Sequence, residues 1–72
     1  MNTLDDRLLA AHAADDRQAL IALYSEAAAL AADIDAKGFY LTQAYVFALE
    51  AGASSALTLR EQLVELNRET PD

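Results

Sequence analysis

His12, with Asp15 and Asp16 three and four residues beyond it, is the one place in this 72-residue chain where an imidazole and carboxylates lie close enough in sequence to act together. On an uninterrupted helix the four-residue spacing sets His12 beside Asp16, which offers nitrogen and oxygen ligands for a metal-dependent accessory role. The plainer reading is an imidazole near a helix C-terminus, where the dipole favours it, with Asp16 as a cap. The acidic groups Asp5-Asp6, Asp15-Asp16 and Asp33/Asp35 have carboxylates for calcium or magnesium, but no segment has the dense Asp/Asn/Gly loop of an EF-hand. Capping and solubility account for them, and no metal site is assigned.

A second set of candidates is aromatic. Phe39, Tyr40, Tyr45 and Phe47 could form a cage or a stacking platform, yet platforms for single-stranded nucleic acid come with basic grooves and the chain has none nearby. Core packing is the expected use. Tyr40 is set apart because its hydroxyl needs a partner or water, and a surface Tyr is a common interface anchor. Gln43 and Glu50 interrupt an otherwise apolar stretch. With Tyr40 they make a candidate interaction surface, and the alternative is that they face water.

Catalysis has little material: one His, no Cys, and hydroxyls placed mostly at helix caps. The chain is read as no enzyme, with no catalytic residue, no cofactor and no small-molecule substrate implied. Gly-rich phosphate loops and basic patches are also missing. Twelve acidic against five basic residues give a net charge of -7, which repels phosphate backbones and anionic lipid heads. Neither nucleic acid nor a membrane is the expected partner. No apolar run has the length of a signal peptide or a membrane span, so the expected location is cytoplasmic.

The elements that must position these residues are helical. Ala and Leu supply 17 and 12 of the 72 residues, against 2 Gly, 1 Pro and four Val or Ile. At 54% apolar the chain has enough nonpolar area to fold, as one domain over 1–72. Thr3 reads as the cap of a first helix from about Leu4 to about Ala13. Asp15-x-x-Gln18 has the shape of a capping box and restarts the helix, although a continuous Leu4 to Ala32 helix stays open. Leu20, Leu23, Ala27, Leu30 and Ile34 form the seam of the second helix, flanked by Tyr24. Asp35 is the expected cap of a third helix carrying Phe39 to Leu49, which is apolar nearly all round and therefore expected to be buried. Ala51-Gly52-Ala53-Ser54-Ser55 supplies a glycine stop and a serine start. Ala56, Leu59, Leu63 and Leu66 line a fourth, amphipathic helix, and Thr70-Pro71-Asp72 ends the chain with a residue that cannot continue it.

Leu41-x-x-x-Tyr45-x-x-Ala48-Leu49-x-x-Gly52 resembles the second helix of a tetratricopeptide repeat, and Leu20-x-x-x-Tyr24-x-x-Ala27-Ala28 repeats the pattern. In another register, Ala44-Tyr45 through Gly52 to Ala56 resembles a first repeat helix, its turn and the start of the second. The two registers exclude one another. The resemblance covers about residues 20–66 and extends to small bacterial proteins of this helical type. It implies a tetratricopeptide-like array whose grooves hold a peptide or another protein. The expected fold is therefore all-α, four helices packed as two antiparallel hairpins. The expected function is a small acidic protein-protein interaction module or adaptor, the alternative a structural homo-oligomer without a foreign partner. With no disulfide to staple so short a chain, and apolar residues on several helix faces, a homodimer is also expected.

Overall fold

The computed structural model describes residues 3–69, so the Thr70-Pro71-Asp72 stop lies outside the described residues. Four helices follow one another: α1 (Leu4–Ala13), α2 (Arg17–Leu30), α3 (Ile34–Ala51) and α4 (Ser55–Glu69), and no strand occurs among the described residues. At the start of α1 the Thr3 hydroxyl accepts from the Asp6 backbone N–H at 3.2 Å, while the Asp6 carboxylate accepts from the Thr3 N–H at 3.5 Å. Two amides that helix geometry leaves without partners are thereby satisfied.

The break between α1 and α2 is made by an aspartate. Asp15 has φ 52°, the left-handed conformation usually taken by glycine. Its neighbour's amide folds back, Asp16 N–H donating to the Ala11 carbonyl at 3.0 Å. Asp tolerates this conformation better than most residues because its short polar side chain bonds locally. A continuous helix through Asp15 is thus excluded. The cap of α2 is Asp16, whose carboxylate accepts from Ala19 N–H at 3.1 Å, and the expected Asp15 box shifts by one residue.

The next junction also moves. Asp33, rather than Asp35, caps α3, accepting from Ala36 N–H at 2.7 Å. Asp33 wins because capping there adds a turn, closed by the Lys37 N–H to Asp33 carbonyl bond at 3.0 Å, and leaves Asp35 in the first turn where the dipole favours it. Ile34 consequently belongs to α3 instead of the seam of α2 and is 40% exposed. α3 ends at Gly52, with φ 64°, whose N–H reaches the Ala48 and Leu49 carbonyls. A Cβ at Gly52 would meet nothing within 4 Å, so a substitution is penalised by backbone strain alone. Gly52→Ala should lower unfolding free energy by about 1 kcal/mol, read as an earlier midpoint in urea titration.

Each helix packs on its neighbours in the chain, α1 on α2, α2 on α3 and α3 on α4, and no other two helices bring their backbones together among the described residues. The array measures 38 × 29 × 13 Å. Its core has two parts. Ala11, Leu20 and Leu23 join α1 to α2, and Ile21, Ala28, Leu41, Ala44, Ala48 and Leu59 join α2, α3 and α4. Tyr24 and Phe47 pack against both. Arg7 adds a bidentate pair to Glu26, both bonds 3.1 Å.

The expectation of an all-round buried α3 is corrected here. Only Leu41, Ala44 and Ala48 are buried, while Phe39 and Leu49 are 57% and 55% exposed. In so thin an array a helix has neighbours along two of its sides at most. α3 turns its alanines to them, because small residues let helices approach closely. Phe39, Val46 and Leu49 are left outside.

Candidate functional site

Five rings from three helices form one continuous row. Phe39 meets Tyr40 edge-on with centroids 5.5 Å apart, and Tyr40 lies 6.3 Å from Tyr24. Tyr24 stacks on Phe47 at 5.8 Å with planes 15° apart, and His12 sets its edge to both, 5.9 Å from each. Offset-stacked and edge-to-face arrangements are those that the ring quadrupoles favour, each adding about 0.5–1.5 kcal/mol to burial. The row begins on α3, crosses α2 and ends on the last turn of α1. Tyr24, Tyr40 and Phe47 are half-buried, and His12 and Phe39 are exposed.

The polar edges are ordered too. His12 Nε2 and the Tyr24 hydroxyl are 2.9 Å apart, with the imidazole tautomer deciding which of them donates. At the start of α2, Arg17 Nε donates to Glu50 Oε1 at 3.1 Å, and its guanidinium also lies 3.7 Å from the Asp15 carboxylate. The Glu50 hydrogen bond, and then the Asp15 and Glu50 charges, push the Arg17 guanidinium above its ordinary value. Glu50 is thus occupied within the chain.

The sequence candidates fall into this geometry unequally. Tyr40, Gln43 and Glu50 lie at helical spacing on one side of α3, and Phe47 shares that side. Tyr40 is in the row, Gln43 is half-buried beside it in register, and Glu50 is an ion-pair partner of Arg17. Tyr45, grouped with the other aromatics from the sequence, packs against the Leu41 part of the core and takes no place in the row. Tyr24, which the sequence places only at a helix flank, holds its centre, and His12, at the end of α1, closes it. Their meeting depends on the turn at Asp15, and no periodicity within either helix encodes it. The same turn removes the His12/Asp16 helical alignment, and among the described residues no three His, Asp or Glu side chains gather as a metal site would need.

No family model, curated protein or solved structure matches the chain. The reading of the site therefore rests on its own chemistry. Stacked ring faces beside two phenol hydroxyls and an imidazole suit an apolar or aromatic side chain that also offers a hydrogen bond. His12 Nε2 and the Tyr24 hydroxyl are engaged with one another, which fixes the two polar tips against the ring faces. Among the described residues no helix is long and apolar enough to cross a membrane.

Proposed function

We infer that the chain is a cytoplasmic, non-catalytic protein-protein interaction module, and that a foreign protein docks on the aromatic row. The observation that carries this reading is the row itself: five rings in contact across three helices with His12 and Phe39 exposed at its ends. Aromatic side chains with polar tips are the residues that dominate binding energy at protein interfaces. The acidic surface disfavours nucleic acid and anionic membranes.

The architecture of the module is that of two antiparallel helical hairpins, tetratricopeptide-like in plan. Two contacts support this course: Arg17 at the start of α2 meets Glu50 near the end of α3, and Gly38 near the start of α3 lies against Leu66 near the end of α4. Gly38 is a close approach, since a Cβ there would stand 3.2 Å from the Leu66 side chain.

A photo-crosslinking residue at Gln43 tests the assignment in cells, with one at exposed Ala29 as control. A foreign protein should be captured from Gln43 and not from Ala29, and Tyr40→Ala should reduce capture by at least about tenfold, as loss of an interface anchor does. Identical products from both positions, or only the chain linked to itself, would remove the foreign partner from the row. The second reading, a homo-oligomer, is favoured by a different feature, the apolar side chains Leu57 and Val64 left exposed on α4.

A further inference from the structure

We propose that the outer face of α4 is a self-complementary surface on which a second copy of this chain docks, with the two α4 helices antiparallel about a two-fold axis between Arg60 and Glu61. The face stands apart from the aromatic row and does not depend on its reading.

α4 buries Leu59 and packs Leu63 and Leu66 toward α3. Leu57, Arg60, Glu61 and Val64 occupy the opposite side, three and four residues apart, which is the spacing of a second helical stripe. Leu57 is 69% exposed and Val64 42%, so two large apolar side chains lie in water about 10 Å apart along the helix. The four residues, with Glu65, line a shallow hollow of about 420 Å³, a shape that admits a side chain from outside.

The order of residue types identifies the occupant. An axis midway between Arg60 and Glu61 is as far from Leu57 on one side as from Val64 on the other. Antiparallel pairing about it sets Leu57 opposite Val64 of the second copy, twice. It also sets Arg60 opposite Glu61 of the second copy, twice, so both like-charge pairings are avoided. Within one chain this complementarity is unused. Arg7 and Arg17 are committed to Glu26 and to Asp15 and Glu50, whereas Arg60 and Glu61 have no ion-pair partner among the described residues. A two-fold pairing of identical patches is the commonest closed assembly. Two 15-residue helices meeting along one stripe fall at the low end of interface sizes, under about 1,200 Å², the class of transient, reversible pairs.

Charge reversal with sedimentation or light scattering tests the register. The unaltered chain should pass from 7.8 kDa toward twice that mass as concentration rises from micromolar to hundreds of micromolar. Arg60→Glu alone and Glu61→Arg alone each place like charges together twice, and each should weaken association at least about tenfold while leaving helix content unchanged. Mixing the two variants places opposite charges at every contact and should restore a dimer of one copy of each. Tyr40→Ala should leave dimerisation intact, which separates this surface from the row. A mass of 7.8 kDa at every concentration, undiminished association in both variants, or no recovery on mixing would each overturn the proposal.

Discussion

Leu20→Ala is expected to lower unfolding free energy by about 3–4 kcal/mol, the largest effect of any single truncation in this chain. Leu20 is 1% exposed, and Ala11 and Leu23 bury with it while Leu4 and Leu8 pack on the same cluster. The alanines around it are too small to collapse into the void, so the lost transfer energy and the cavity add. A domain of this length commonly has only about 4–11 kcal/mol in total. Because this cluster is the main attachment of α1, the variant should also show its loss unevenly: amide exchange in α1 rises before that in α3 and α4. A urea midpoint unchanged from the parent would mean that α1 is not docked through Leu20.

Phe47→Ala should follow, at about 2–3 kcal/mol, below the range for a fully buried Phe because the ring is half-buried. Phe47 packs against both parts of the core, stacks on Tyr24 and receives the edge of His12, so its removal loosens three helices together. Tyr45→Ala provides the comparison. Tyr45 is equally half-buried but touches only one part of the core, and its removal should cost roughly half as much. Thermal melts of the two variants decide the point, and equal losses would mean that the ring contacts add nothing beyond burial.

Much of the helical plan is legible in the sequence because it is written in local chemistry. Thr3 with Asp5 and Asp6 marks the start of α1, and Gly52 marks the end of α3, each through bonds made within four residues. The cap of α3 was less legible, since Asp33 and Asp35 are both competent and only the added turn, closed by the Lys37 N–H to Asp33 carbonyl bond, separates them. The exposure of α3 was not legible at all. An apolar helix reads as central when a closed bundle is assumed, whereas here the array lets Phe39, Val46 and Leu49 remain outside. Of the candidate surface, Tyr40 stands in the row and Glu50 serves an ion pair. The meeting of Tyr24, at the middle of the row, with His12, at its end, is a tertiary one created by the left-handed turn at Asp15.

That backbones meet only between chain neighbours also shapes how the molecule is made. Every helix pair closes a loop of three residues, so little chain entropy is spent before contacts form, and topologies of this kind fold in microseconds to milliseconds. The most extensive pairing, α2 with α3, is the natural nucleus, and α1 and α4 can zip onto it independently and in either order. The outermost helices, each with one packed neighbour, are expected to open before the central pair.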